Sequence, residues 1–214
     1  MIAAKRMRKA VITIHPDDTL AHAQSLLRTH HIRHLPVVDG GRLVGILSSH
    51  DLHGAVPVPA GPEEARAYAE KLQALPASAV MSREVVAVAP FTPIEHCAKL
   101  MTEYKIGCLP VLEGGRLEGI VTTTDVMGLM AEMMGVSEAG SRIEVEVPAA
   151  PGAMIEVARI IEGQAVRIAS IASVPIPDRA RTILVLRVRT INPRPVIRAL
   201  EDAGYRVPAA EELL

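Results

Sequence analysis

Apolar residues in the first half of the chain alternate between short β-branched runs and stretches with helical spacing. Residues 11–14 (Val-Ile-Thr-Ile) predict a short strand. Residues 20–27 have the apolar spacing of a helix and follow good capping residues. Two further strands are predicted at 34–39 and 42–47, joined by an Asp-Gly-Gly turn that requires positive φ. A final helix begins near Asp51, so the predicted order is β-α-β-β-α.

The same pattern returns 74 residues later without a gap. Residues 32–54 align with residues 106–128. The matched pairs include Pro36 with Pro110, Gly45 with Gly119, and Asp51 with Asp125. An offset this constant identifies an internal duplication. Because one copy alone buries too little apolar surface to be stable, we expect the two copies to pack together as one module.

Two other segments do not belong to the duplication. Between the copies, a loop rich in Pro and Gly leads into a predicted helix from Pro62 to Ala74, which we interpret as a connector or an interface helix. After Gly135, alternation predicts a strand at 142–147, and a helix with an apolar face begins at Gly152. The remaining predicted elements are strands at 166–174 and 182–190 with a turn from Pro175 to Arg181 between them, a helix at 192–203 and a final strand at 205–207.

The C-terminal order is thus β-α-β-β-α-β, which is a ferredoxin-like layout. We expect a mixed α/β (α+β) protein with four segments. They are repeat 1 at residues 1–54, a linker with a helix at 55–79, repeat 2 at 80–136, and the ferredoxin-like domain at 141–214.

The composition narrows the class of protein. Of the 214 residues, 49% are hydrophobic and 22% are charged, which supports a packed core. The 23 basic and 24 acidic residues nearly cancel and aromatic residues make up only 2%, so a dedicated nucleic-acid binder is not expected. An apolar run of about 18 residues is missing, as is a secretory signal pattern. We therefore expect a cytoplasmic protein without a nucleic-acid or membrane partner.

Each copy ends in a motif that can bind a ligand. A hydroxyl residue precedes an aspartate by three positions, as Ser48 and Asp51 in the first copy and Thr122 and Asp125 in the second. At a helix N-terminus, the hydroxyl and the free N–H groups favour a phosphate, and the carboxylate can accept hydrogen bonds from ribose hydroxyls. The alternative is a plain helix cap with an acidic residue that complements the helix dipole. Two copies at equal offset favour ligand binding.

These motifs resemble a tandem pair of cystathionine-β-synthase (CBS) domains, known as a Bateman module. The resemblance rests on the Met-x-x-x-Val start, the Leu-Pro-Val strand, the Gly-Arg-Leu-x-Gly hairpin and the Ser/Thr-x-x-Asp ending of each copy. It implies that AMP, ADP, ATP or a related adenosyl ligand binds in clefts between the copies. It also implies a regulatory protein that is not an enzyme, without catalytic residues or a required cofactor.

By position, the resemblance implies two clefts. The first would use Ile46, Ser48, Asp51, Met81, Val86, Gly107 and Cys108. The second would use Met7, Ile12, Arg33, His34, Ile120, Thr122 and Asp125. A basic pair before the Leu-Pro step often faces phosphate in such modules, and the second copy has Gly107-Cys108 in place of Arg33-His34. We therefore expect unequal clefts, with better phosphate binding at Asp51 and a weak or empty site at Asp125.

A few other residues could carry different chemistry. His30, His31 and His34 form a tight cluster, but no further ligand stands at zinc-binding spacing, so no metal site is expected. Cys97 and Cys108 are expected to be buried thiols. The methionines fit an apolar face packed in the core or against a partner subunit; they are Met127, Met130, Met133 and Met134. The alternatives left open are a ligand-free dimerisation or interaction scaffold and, ranked last, a nucleotide-hydrolysing enzyme acting through the aspartates.

The C-terminal segment is similar to ACT domains, which often bind amino acids and pair across subunits. The matching residues are Val147-Pro148, Pro151-Gly152, Ile168 to Ile171 and Asp202 to Tyr205. Gly152 is the candidate for approach of a ligand carboxylate to the backbone, and a tight turn or simple dimerisation is the alternative. The whole chain resembles acetoin-utilisation-B-like proteins. This resemblance implies a homodimer that regulates an unknown partner, in acetoin or carbon metabolism.

Overall fold

A computed structural model describes residues 1–177 and 180–208. Part of the predicted turn after Pro175 and the end of the predicted C-terminal domain lie outside these described residues. Internal contacts divide the chain into two units, Met1–Val126 and Met127–Leu214.

The first unit contains both copies, and most of the predicted elements are observed. The first copy and the linker form α1 (Leu20–Thr29), β1 (His34–Asp39), β2 (Arg42–Ser48), α2 (Ser49–Ala55) and α3 (Pro62–Ala74). The second copy forms α4 (Ile94–Glu103), β3 (Cys108–Glu113), β4 (Arg116–Thr122) and α5 (Thr123–Met133), the last of which continues into the second unit.

Local sequence explains where these elements begin and turn. The Thr19 hydroxyl accepts a hydrogen bond from the backbone N–H of His22 and caps α1. Gly40 and Gly41 have φ of 55° and 79° in the β1–β2 turn, which is the positive φ that the Asp-Gly-Gly sequence predicts. Pro62 occupies the first turn of α3, where its missing N–H costs no helical hydrogen bond.

The two copies form one four-stranded sheet in the order β1-β2-β4-β3. Arg42 of β2 pairs with Arg116 of β4, and these residues are equivalent in the duplication. The isolated bridges Arg8–Ile120 and Ile46–Ser82 are likewise equivalent to each other. A pseudo-twofold axis therefore relates the copies, and the N-terminal segment of each copy pairs with the hairpin of the other.

The predicted strand at 11–14 is wrong for all but its last residue. Only Ile14 pairs, through a single parallel bridge to Val37, and Val88 does the same with Val111 in the second copy. The physical reason is the crossing of the two copies. After Arg8 the chain leaves the hairpin of the second copy, and it reaches the hairpin of its own copy only at Ile14. Too few residues remain in between to form a ladder.

The core of the first copy is built from aliphatic side chains of its helices and strands. Leu35, Leu47 and Leu52 are almost fully buried there. Leu72 of α3 is buried in the same cluster, so the linker helix packs on the first copy. Burial of each such leucine contributes about 1.5–3 kcal/mol.

The second unit has its own sheet and core. Its elements beyond α5 are β5 (Ser141–Pro148), α6 (Ala153–Gly163), β6 (Ile168–Pro175), β7 (Arg181–Val188) and α7 (Arg194–Asp202). The antiparallel sheet has the order β5-β7-β6. The predicted final strand at 205–207 is reduced to one bridge, in which Arg206 pairs with Glu146 on the free side of β5. Val157 and Ile161 of α6 are fully buried against this sheet's core.

Two strand glycines hold the copies of the first unit close together. A Cβ atom on Gly45 would lie 2.5 Å from Sδ of Met81 and 3.0 Å from the carbonyl oxygen of Ser82. At Gly119, the corresponding distances to Met7 and Arg8 are 2.6 and 3.0 Å. A side chain at either position would therefore push the crossing segment away.

We expect Gly45→Ala to lower the free energy of unfolding by about 1–3 kcal/mol, because the added methyl group overpacks this contact. Chemical denaturation monitored by circular dichroism measures the change. Gly54→Ala is the matched control, since a Cβ there meets nothing within 4 Å; it should leave stability unchanged or slightly higher. Equal loss in both variants would contradict the close approach as the reason for glycine.

Candidate ligand-binding clefts

Two cavities lie between the copies in the first unit, at positions related by the duplication. The Asp51 cleft has a volume of about 370 Å³. Its lining includes Ile46, Ser48, Asp51, Val86, Gly107 and Cys108. The Asp125 cleft has a volume of about 350 Å³. Its lining includes Ile12, Arg33, His34, Ile120 and Thr122.

In the Asp51 cleft, the aspartate is held rigidly by the start of α2. One carboxylate oxygen, Oδ2, accepts hydrogen bonds from the backbone N–H of Ser48 at 2.8 Å and from its hydroxyl at 2.6 Å. The hydroxyl in turn accepts from the N–H of Asp51 at 3.2 Å. This reciprocal arrangement is a capping box. The capping interpretation is therefore correct for Ser48, and it leaves Oδ1 as the oxygen available to a ligand.

The Asp125 carboxylate is held in the same way at the start of α5. Its Oδ2 accepts from the backbone N–H of Thr122 at 2.8 Å and from the Thr122 hydroxyl. Here, however, Oδ1 also accepts from Nε of Arg8 at 3.2 Å. Ser82 occupies the equivalent position in the Asp51 cleft. The two clefts thus differ at the carboxylate oxygen that faces a ligand.

Most of the site residues predicted from the sequence lie in the cleft to which they were assigned. Met81, Met7 and Asp125 are the exceptions. Neither methionine lines either cavity, and both pack against the strand glycines Gly45 and Gly119. Asp125 does not line the cavity itself but contacts two residues that do, Thr122 and Arg8. The binding role of all these residues stays a prediction.

The structure removes the ground for expecting better phosphate binding at Asp51. Arg33 lies in the Asp125 cleft, and His34 lines both cavities. The resemblance assigns both residues to the second cleft, with Asp125, so the basic pair gives no ground for better phosphate binding at Asp51.

Several lining residues were missed from the sequence. In the Asp125 cleft they are Arg8, His30, His31 and Thr124. In the Asp51 cleft they are His50, Ser82, Glu84 and Lys105. For all of them except His30, the signal was available in the constant offset, because each occupies the position equivalent to a lining residue of the other cleft.

Gly107 has a packing reason that is independent of any ligand. A Cβ atom there would lie 2.8 Å from Cε1 and 3.1 Å from Nε2 of His34. The pseudo-twofold axis brings the segments with Arg33-His34 and Gly107-Cys108 together, so the His34 ring fills the space that a side chain at Gly107 would need. The glycine in the second copy, at the position of Arg33 in the first, therefore leaves room for the His34 ring.

The buried environment also changes proton affinities at this junction. Burial lowers the pKa of His34, the nearby Arg33 guanidinium lowers it further, and Asp51 opposes both. Burial raises the pKa of the Cys108 thiol to about 12. The imidazole between the clefts is therefore neutral at physiological pH, and the Cys108 thiol stays protonated.

Elsewhere, the candidate glycine of the second unit has a conformational explanation. Gly152 is the N-cap of α6 with φ of 90°, a left-handed conformation that favours glycine. In the part of the chain that the structure describes, no group of three or more His, Cys, Asp or Glu is placed to hold a metal ion. None of the described helices is both long and apolar enough to span a membrane.

Two stretches of the chain, residues 3–57 and 77–132, match the CBS domain family. Together they cover more than half of the sequence. The class defined by the fold and the clefts is therefore the tandem CBS pair, and this chain belongs to the CBS-domain family.

A similar protein and two similar structures place the CBS pair among known examples. A CBS domain-containing protein of Dictyostelium discoideum is 37% identical over 136 residues, which covers 63% of this chain and 94% of that protein. The structure of an acetoin utilization protein (AcuB) from Vibrio cholerae has a TM-score of 0.54 at 29% identity, covering 64% of this chain and 96% of that one. The CBS domain pair of protein MJ0100, in complex with 5′-methylthioadenosine and S-adenosyl-L-methionine, has a TM-score of 0.51 at 30% identity, covering 62% and 97%.

The lowered pKa of His34 predicts a pH-dependent stability. The unfolded chain binds a proton at His34 more readily than the folded chain, so the contribution of the neutral ring is present above the ordinary histidine pKa and lost as the pH falls below it. We expect the melting temperature to fall between about pH 7.5 and 5.5, and to fall less in His34→Asn. Differential scanning calorimetry measures both.

His53→Asn is the control, since His53 is exposed on α2 outside both clefts. It should keep the wild-type pH profile. An unchanged profile in His34→Asn would show that the buried ring does not govern the acid response.

Proposed function

We propose that this protein is a regulatory sensor, not an enzyme, that binds adenosyl ligands in the clefts between its two CBS domains. The single observation that carries the proposal is the capped carboxylate at each cleft, Asp51 and Asp125, held by its own helix start. One oxygen of each carboxylate is fixed by the cap; the other is outside the cap in Asp51 and accepts from Arg8 in Asp125. Such an oxygen can accept hydrogen bonds from both hydroxyls of a ribose.

The rest of each cleft supports the same class of ligand. Ile46 and Val86 give the Asp51 cleft an apolar wall for a base, and Ile12 and Ile120 do so in the Asp125 cleft. The two volumes fall in the range of small-molecule sites, which begins near about 300 Å³. That the similar CBS pair of MJ0100 was solved with two adenosyl ligands further supports the proposal.

We propose that ligand occupancy changes the association of this protein with a partner. The partner's identity is unknown, and the similarity to an acetoin utilization protein supports acetoin or carbon metabolism as the setting, in the cytoplasm. The competing proposal is a ligand-free interaction scaffold. The departure at Gly107 supports it less once the His34 ring is seen to occupy the space beside Gly107.

For the second unit, we propose an ACT-like, ferredoxin-like domain whose main role is dimerisation, with amino-acid binding near Gly152 as the alternative. Its strand order, Arg206 bridge-β5-β7-β6, matches a ferredoxin-like sheet. Among the named strands, β6 lies at the edge of this sheet and exposes Ile171 and Val174. An exposed apolar edge strand is a ready template for pairing with a second chain.

We expect adenosyl nucleotides to bind the wild-type protein and to raise its melting temperature. Asp51→Ala should weaken binding in its cleft by about tenfold or more, because the hydrogen bonds from the ribose to a charged acceptor are lost. Isothermal titration calorimetry with adenosine, AMP, ADP and ATP measures this change. Loss of the two hydrogen bonds that the carboxylate accepts from Ser48 should also lower the stability of the ligand-free protein, by about 0.5–1.5 kcal/mol each.

Asp39→Ala is the matched control, because it removes an exposed carboxylate that lines neither cleft. It should leave all affinities unchanged. Absence of adenosyl binding in the millimolar range, or full affinity in Asp51→Ala, would disprove the proposed site.

We expect the protein to sediment as a dimer and Ile171→Lys to shift it towards monomer, because the lysine places a charge on the apolar edge strand. Analytical ultracentrifugation over a concentration series measures the shift. Ile191→Lys is the control, since Ile191 is 95% exposed and lies outside β6. A wild-type monomer, or equal dimerisation of both variants, would contradict pairing through β6.

A further inference from the structure

The two clefts have equivalent frames but opposite charge. Three equivalent position pairs in the duplication carry the difference; they are Arg8 with Ser82, Ala10 with Glu84, and Arg33 with Gly107. In each pair, the first residue lines the Asp125 cleft. Ser82, Glu84 and Gly107 line the Asp51 cleft, and Gly107 lines the other cleft as well.

The Asp125 cleft, with Asp125 itself included, contains the guanidinium groups of Arg8 and Arg33 and one carboxylate. In the Asp51 cleft, two carboxylates, Asp51 and Glu84, face the single ammonium group of Lys105. The histidines are shared between the clefts, because His30 and His31 line only the Asp125 cleft and His50 lines only the Asp51 cleft. One cavity therefore attracts anions and the other repels them.

Arg8 makes the Asp125 cleft selective for the 5′ group that is attached to the ribose of a ligand. Its Nε donates to Oδ1 of Asp125 at 3.2 Å, the oxygen that the Thr122 cap leaves available. A ribose hydroxyl that donates to this oxygen therefore competes with Arg8 for it. The Arg8 side chain is 57% exposed and the Asp125 side chain is 14% exposed, so the guanidinium can turn away while the carboxylate stays in place.

A displaced arginine needs a new partner. A nucleoside without phosphate offers none, so it loses the ion pair without replacement. A di- or triphosphate offers several charged oxygens, which suit the planar guanidinium groups of Arg8 and Arg33. The exchange of partners therefore favours ligands with a phosphate chain.

The Asp51 cleft has the opposite preference. Ser82 stands in place of Arg8, and among the described residues no cation is ion-paired with Asp51, so a ribose can bind without displacing one. Glu84, by contrast, would repel a phosphate chain. A 5′ group that is uncharged or cationic fits this lining better.

We propose that the two clefts divide adenosyl ligands by charge. The Asp125 cleft binds nucleoside di- or triphosphates, and Arg8 exchanges Asp125 for phosphate as they bind. The Asp51 cleft binds adenosyl ligands whose 5′ substituent is uncharged or cationic. This inference rests on the proposed function and adds to it the ligand class of each cleft.

The test uses ATP and 5′-methylthioadenosine as probes in isothermal titration calorimetry on the full chain. The two ligands should bind together, so that protein saturated with 5′-methylthioadenosine still binds ATP, with one ATP per chain. Displacement of one ligand by the other would overturn the division of the clefts.

Two exchange variants assign each ligand to its cleft. Arg8→Ser gives the Asp125 cleft the residue of its counterpart and should weaken ATP by about tenfold or more, without changing 5′-methylthioadenosine. Ser82→Arg should weaken 5′-methylthioadenosine without weakening ATP. Lys9→Ser is the control for removal of a nearby charge, because Lys9 lines neither cleft and should have no effect.

The outcomes separate the two levels of the proposal. ATP affinity that stays within about twofold in Arg8→Ser overturns the charge division, even though adenosyl binding itself stands. If neither probe binds the wild-type protein, then the proposed function fails, and the division of ligands fails with it.

Discussion

The crossing of each copy's N-terminal segment onto the hairpin of the other copy is the contact on which the rest of the first unit depends. The bridges Arg8–Ile120 and Ile46–Ser82 place two segments that are far apart in sequence beside the strand ends. This approach is possible because Gly45 and Gly119 have no side chain there. As a result, each cleft is built from both copies, and neither copy alone contains a complete one.

Each cleft aspartate meets a folding need and leaves one carboxylate oxygen outside that role. The carboxylate completes the hydrogen bonds at the start of its own helix, and these bonds in turn fix its direction. A group that is already oriented loses little freedom when a ligand arrives, which favours binding. The capping and ligand-binding interpretations of the motif are therefore compatible, because they use different oxygens.

Much of this organisation could be predicted from the sequence, because helix caps, the Gly-Gly turn and the duplication are local or repeated signals. The absence of a full strand at 11–14 could not be predicted. The β-branched residues there indicate only a preference for extended backbone, whereas strand pairing depends on the path by which the chain approaches the sheet. Arg33, by contrast, lies in the cleft to which the resemblance assigned it. Gly107 resembles a lost binding residue in the sequence, and only the position of the His34 ring in space shows its packing role.

The His34 ring also gives the two clefts a common wall. It lines both cavities and packs against Gly107, which lines both as well. A ligand that shifts this ring in one cavity alters the shape of the other, so the two binding events become thermodynamically linked. Such linkage is reciprocal: whatever one ligand does to the affinity of the second, the second does equally to the first. A protein with this arrangement can report the ratio of two metabolites as well as the amount of either one.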